Sequence, residues 1–97
     1  MYRVQSVFVW QPIPSYKFDL TYHLTEEFGP HTYSQFGYRI MQDYVTKNRQ
    51  GLNFLWCADM QEDIKEPLYV DPVHYSADMS KRIALMIFNM LEERVLI

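Results

Sequence analysis

Asp71 and His74 are the side chains of this sequence whose types and spacing most favour chemistry. They lie three residues apart within residues 69–76, and Pro72 between them restricts the backbone, so both share one stiff turn. Histidine carries protons near neutral pH, and a neighbouring carboxylate can orient its ring and stabilise its charged form. The pair predicts the acid–base half of a hydrolytic triad. A structural His74 that caps the following helix is the alternative.

The other candidates for catalysis or metal binding favour structural roles. Ser15 follows Pro14 directly, so we predict that it is a turn residue rather than a nucleophile. His23, His31 and His74 have spacings that fit no compact zinc motif. We therefore expect no metal ion and no cofactor.

The single cysteine and the abundant aromatic residues favour burial. Cys57 lies in the apolar run of residues 54–58, where nothing nearby supplies the positive charge that a reactive thiolate needs. One cysteine also excludes an internal disulfide. Trp10, Trp56 and the tyrosine-rich residues 16–44 could line a sugar- or base-stacking surface, but buried rings with satisfied polar tips are the simpler interpretation.

Two strands are predicted from β-branched and aromatic residues. The first covers residues 2–10, and its apolar end is typical of a strand buried on both faces of a parallel sheet. The second covers residues 52–58. A long irregular connection over residues 11–32, with a short helical turn at 25–28, follows the first strand, and a solvated acidic loop over 59–67 follows the second.

Two helices are predicted from apolar residues spaced three and four apart. The first covers residues 33–48, and the second covers 76–95 with Ser76 as its N-cap. The order strand-loop-helix-strand-loop-helix predicts an α/β fold with a parallel sheet. Two buried strands without further neighbours leave sheet edges open, so we expect more strands from elsewhere or pairing with another copy.

The block Asp71-Pro72-Val73-His74-Tyr75-Ser76, followed by a helix containing Arg82-Ile83-Ala84, resembles the C-terminal block of the SGNH/GDSL hydrolases. Residues 7–12 and 53–59 are similar to strands of that family and to the turns that leave them. The resemblance implies a partial three-layer, flavodoxin-like parallel sheet. It also implies that residues 1–97 form a single partial domain, the C-terminal part of an SGNH-like hydrolase domain.

The resemblance also implies roles for individual residues. His74 would be the general base that activates a serine, Asp71 would orient His74, and Gln11 would lie on the rim of the site. The Gly-Asp-Ser nucleophile block and the Gly and Asn blocks of the oxyanion hole are absent from this sequence. The predicted function is therefore a fragment of a serine esterase or acetylesterase, which acts on a small ester when complete and is inactive alone.

Charge and hydropathy limit the partners and the location. The chain of 97 residues, one small domain, has 9 Lys+Arg against 12 Asp+Glu, and this excess of acid argues against nucleic-acid binding. No apolar run approaches the ~18 residues that span a bilayer, and residues 1–6 do not resemble a signal peptide. We expect no membrane partner and, by default, a cytoplasmic location.

Two kinds of partner agree with these patterns. In the hydrolase interpretation the partner is the missing N-terminal half of the domain. The alternative function is a small non-catalytic α/β module that self-associates or binds a protein through its open strand edges and aromatic residues.

Overall fold

The computed structural model describes residues 5–23 and 29–96. Its regular elements are strand β1 (Phe8–Trp10), helix α1 (Ser34–Lys47), strand β2 (Phe54–Trp56) and helix α2 (Ala77–Glu93). Short 3₁₀ turns at Leu20–Tyr22 and Gly29–Tyr33 lie in the connection between β1 and α1. The predicted α/β class, with its element order, is confirmed. The helical turn predicted at 25–28, like the start of the first strand at 2–4, lies outside the described residues.

The two strands form a parallel pair in which Phe8 lies opposite Phe54 and Trp10 opposite Trp56. Two more hydrogen bonds extend the pairing: Phe8 N donates to Asn53 O at 2.8 Å, and Cys57 N donates to Trp10 O at 3.0 Å. The prediction that the first strand is buried on both faces is wrong, because Phe8 is 60% exposed. α1 reaches this strand at Trp10, whose ring contacts that of Tyr38.

Helix α2 begins as the sequence predicts. The Ser76 hydroxyl accepts a hydrogen bond from Met79 N at 3.0 Å, and Asp78 lies in the first turn, where its charge suits the helix dipole. Met79 is the buried residue of this helix, while Leu85 and Phe88 are exposed. The apolar side of α2 is therefore only partly covered.

Helix α1 packs against the rest of the chain through the face that carries Tyr38 and Gln42. The Tyr38 ring lies 5.5 Å from the Trp10 ring, and Gln42 accepts a hydrogen bond from the Tyr16 hydroxyl. Trp10 in turn stacks on Trp56 at 5.9 Å, so these aromatic rings pack mainly against one another. The helix contains no buried residue. Exposed large side chains lie on its outer face at Phe36, Ile40 and Tyr44, and Tyr33, just before the helix, is exposed as well.

The best-buried cluster of side chains lies where the loop after β2 meets the start of α2. Leu68, Tyr69 and Met79 form this cluster, and the loop residues Met60 and Ile64 pack against it. Cys57 is buried, as predicted. The prediction of a solvated loop over 59–67 is wrong at Gln61, which is fully buried, whereas Glu62, Asp63 and residues 65–67 are exposed.

Candidate active site

A tight loop holds Asp71 and His74. An antiparallel bridge pairs Tyr69 with Tyr75 and closes the loop. Val70 N donates to His74 O at 2.9 Å, and Ser76 N donates to Leu68 O at 2.8 Å. One end of the loop is thus anchored in the buried cluster and the other at the N-cap of α2, so the loop is fixed at both ends.

The Asp71 carboxylate bonds the backbone and the imidazole at the same time. Its Oδ1 accepts hydrogen bonds from Val73 N at 2.8 Å and His74 N at 2.7 Å, and its Oδ2 lies 2.7 Å from His74 Nδ1. The Val73 N–H, followed by the hydrogen bonds from His74, holds the pKa of Asp71 below its usual value. The Asp71 carboxylate therefore stabilises the folded chain at pH values above the ordinary pKa of an aspartate. This stabilisation is lost as the pH falls through the lowered pKa of Asp71.

The carboxylate determines where the imidazole carries its proton. An ionised carboxylate only accepts hydrogen bonds, so His74 Nδ1 must donate, and in the neutral ring the lone pair is then on Nε2. The His74 side chain is 72% exposed, and no hydrogen-bond partner of Nε2 is present in residues 5–23 and 29–96. This atom can accept a proton from an incoming hydroxyl, which is the task of a general base.

The alternative in which His74 caps α2 is wrong. The capping oxygen belongs to Ser76, two residues further along the chain. The His74 ring pairs with Asp71 instead, and the rest of the ring is exposed to solvent.

A pocket of about 190 Å³ lies beside the loop at the carboxyl end of β1. Gln11, the residue expected on the rim, lines this pocket together with Pro72 and Val73 of the loop. The Tyr75 hydroxyl donates to Pro12 O at 2.5 Å, which joins the loop to the segment that leaves β1. The crevice beyond the carboxyl ends of parallel strands is the usual ligand position in α/β sheets.

No serine hydroxyl in the described part of the chain is hydrogen-bonded to His74. The Ser15 hydroxyl donates instead to His31 O at 3.5 Å, which agrees with a role in the turn. Ser34 and His31 also line the pocket. The sequence pattern raised His31 only as a metal ligand and did not point to Ser34.

Gln61 is the site residue that the sequence pattern misses. Its fully buried side chain donates through Nε2 to Ile13 O at 2.7 Å and to Tyr16 O at 2.8 Å, and its Oε1 accepts from the Tyr69 hydroxyl at 2.5 Å. Burial raises the pKa of Tyr69, so this hydroxyl stays a donor. Gln61 thereby ties the segment after β1 to the start of the Asp71–His74 loop. The apolar residues Met60 and Ile64, which pack against the buried cluster, are the signal in the sequence that this part of the acidic loop turns inward.

No protein-family model, curated protein or solved structure matches this chain. Within the described residues, no helix has both the length and the apolar character needed to cross a membrane. The same residues contain no group of three or more His, Cys, Asp or Glu side chains that could hold a metal ion.

Proposed function

We propose that this chain supplies the Asp–His part of a serine-type ester hydrolase site of the SGNH kind. The observation that carries the proposal is the 2.7 Å contact between Asp71 Oδ2 and His74 Nδ1, with the imidazole exposed. In the proposed reaction, His74 Nε2 takes the proton of a serine hydroxyl as that oxygen attacks the ester carbonyl. Asp71 orients the ring and stabilises the imidazolium that results.

The proposed serine and the oxyanion donors lie outside the sequence of this chain. A base without a nucleophile and without oxyanion stabilisation lacks two of the largest contributions to acyl transfer. The chain alone is therefore inactive in this proposal. Gln11 lines the pocket beside the loop, and in the proposal it is the rim residue past which the alcohol or acyl group of a small ester would enter.

The proposal also assigns the finer architecture. β1 and β2 belong to a larger three-layer, flavodoxin-like sheet, of which residues 1–97 are a part. Two observations support this assignment: the strands pair in parallel, and β1 has no strand on its outer edge among the described residues. A parallel pair of three-residue strands gains little from its own hydrogen bonds, and parallel sheets are normally covered on both faces.

A fluorophosphonate probe tests the proposal on two proteins: this chain alone, and the longest product that the coding sequence around it encodes in frame. We expect the longer product to contain a Gly-Asp-Ser segment and to be labelled at its serine, whereas the chain alone is not labelled. His74→Ala and Asp71→Asn in the longer product should lower ester hydrolysis by about 10⁴-fold. Lys81→Gln, on the exposed side of α2, is the control.

Two results contradict the proposal. The first is a longer product that lacks Gly-Asp-Ser and takes up no probe. The second is labelling of the chain alone that is lost in His74→Ala, because the nucleophile would then lie within these residues.

A second candidate function, self-association, is favoured by the outer face of α1. Phe36, Ile40 and Tyr44 are exposed at a spacing of four residues, so the row is symmetric about Ile40. In an antiparallel pair of α1 helices, Phe36 would meet the partner's Tyr44 on both sides of a two-fold axis. An exposed apolar row of this kind marks an interaction surface in many proteins.

Light scattering after size exclusion, at tens of micromolar chain, checks this second candidate. We expect a dimer for the natural sequence and a monomer for Ile40→Glu, because a charge at the two-fold axis would face its own copy. Gln35→Glu, on the same helix but outside the apolar row, should stay dimeric. A natural chain that is monomeric throughout this concentration range contradicts self-association.

A further inference from the structure

A second cavity, of about 410 Å³, lies at the outer edge of β2, away from the Asp71–His74 loop. Val45 of α1, Phe54 and Trp56 of β2, and Met90 of α2 provide its apolar walls, and Arg94 supplies a guanidinium at its border. Its volume falls within the range of about 300–1,000 Å³ that is typical of small-molecule sites. Such sites combine apolar walls with a few fixed polar groups, as this one does.

Arg94 is held in place by the strand. Its Nη1 donates to Leu52 O at 3.1 Å and to Phe54 O at 2.6 Å. In the parallel ladder these carbonyls belong to the outer edge of β2, because the inner edge pairs with β1 through Asn53 and Cys57. The guanidinium is thus positioned by backbone groups rather than left to rotate.

The charge on Arg94 has no partner of opposite sign within the described residues. All ion pairs found there involve other cations, and the backbone bonds of Arg94 use only Nη1 of its planar fork. The charge is felt inside the protein, since Arg94 opposes the rise that burial causes in the pKa of Cys57. A fixed, unpaired guanidinium favours an anion that can accept two parallel hydrogen bonds.

We propose that this cavity binds a monocarboxylate with an apolar body, such as a fatty or arylalkanoic acid. The carboxylate bonds the free N–H groups of Arg94, and the apolar body lies against Trp56, Phe54 and Met90. A single cation beside apolar walls suits a single negative charge on a hydrophobic ligand. The inference is independent of the Asp71–His74 chemistry, because the two sites share no residue.

Titration with octanoate, followed by NMR of the backbone amides and the Trp56 indole, tests the inference. 1-Octanol is the matched neutral probe, since it has the same chain without the charge. We expect octanoate to shift the signals of Trp56 and Arg94 and to bind at least about tenfold more tightly than 1-octanol, because hydrogen bonds to charged groups are stronger than neutral ones.

Three variants locate the site. Arg94→Gln removes the charge and should abolish the preference for octanoate, whereas Arg39→Gln removes an exposed guanidinium on α1 and should change nothing. Val45→Trp keeps Arg94 and fills the cavity, so it should weaken octanoate binding about tenfold or more. If Arg94→Gln does not fold, the inference is tested by Val45→Trp and by the comparison of the two probes on the natural chain. Equal affinity for octanoate and 1-octanol, or unchanged binding in Val45→Trp, overturns the inference.

Discussion

Gln61→Leu is expected to lower the free energy of unfolding by about 3–5 kcal/mol. The substitution leaves Tyr16 O and the Tyr69 hydroxyl without their Gln61 partner in a region where water does not reach Gln61. Ile13 O keeps only the bond of 3.3 Å from Tyr16 N. Each buried polar group that loses its hydrogen bond costs about 1–3 kcal/mol. Native proteins have only about 5–15 kcal/mol in total, so a loss of this size is a large fraction of the stability.

Urea unfolding followed by tryptophan fluorescence measures this loss. The control is Gln35→Leu, which removes a surface hydrogen bond from Arg39 and should change stability by less than about 0.5 kcal/mol. We also expect Gln61→Leu to release the segment after β1 from the Asp71–His74 loop, since Gln61 connects the two. Equal stability of the two variants would show that the Gln61 network does not hold the site together.

Leu55→Ala is the second large effect, with an expected loss of about 2–5 kcal/mol. Leu55 is the fully buried centre of β2, so its truncation leaves a cavity that the surrounding structure fills only in part. The strand has three residues and a single paired neighbour in the described structure, so its backbone hydrogen bonds add little to the stability that Leu55 provides. The cost should therefore lie toward the upper end.

Leu52→Ala is the matched control, because the same side chain three residues earlier is 64% exposed. It should cost less than about 0.5 kcal/mol. Thermal unfolding followed by circular dichroism compares the two variants. Similar losses from Leu55→Ala and Leu52→Ala would contradict the assignment of β2 as the buried strand of the pair.

Local patterns predict the elements whose determinants are local. α2 begins where a serine cap and an acidic first turn place it, and the Asp71–His74 contact follows from a spacing of three residues across one turn. The parallel strands follow from alternation of strand and helix patterns. For the cap and for the Asp71–His74 turn, the residues that decide the structure lie within a few positions of one another.

Long-range partners explain what the sequence pattern misses. α1 has apolar residues around much of its circumference, and the face that turns inward is selected by Trp10 and Tyr16, which lie more than twenty residues away. Gln61 is a polar residue in an acidic segment, and its burial depends on carbonyls at Ile13 and Tyr16. Periodicity carries no information about such distant partners.

The Asp71–His74 pair has consequences beyond its own turn. It leaves Nε2 of the exposed His74 ring free to accept a proton, and the proposed function depends on the proton being on Nδ1. Pro72 and Val73, which lie between the two residues, line the pocket that Gln11 also lines. In a surface histidine without a carboxylate neighbour, nothing fixes which of the two ring nitrogens carries the proton. The general-base role proposed for His74 therefore depends on which ring nitrogen carries the proton.

Long-range ¹H–¹⁵N correlation NMR of the imidazole, recorded on the natural chain at a pH where the ring is neutral, tests this claim most directly. We predict the Nδ1–H tautomer for His74, because the Asp71 carboxylate only accepts hydrogen bonds. In Asp71→Asn, the amide oxygen can keep the bonds to the backbone N–H groups while its NH₂ turns to Nδ1, so we predict a change to the Nε2–H tautomer. The same tautomer in both proteins, or Nε2–H in the natural chain, would contradict the paired geometry and the general-base role assigned to His74.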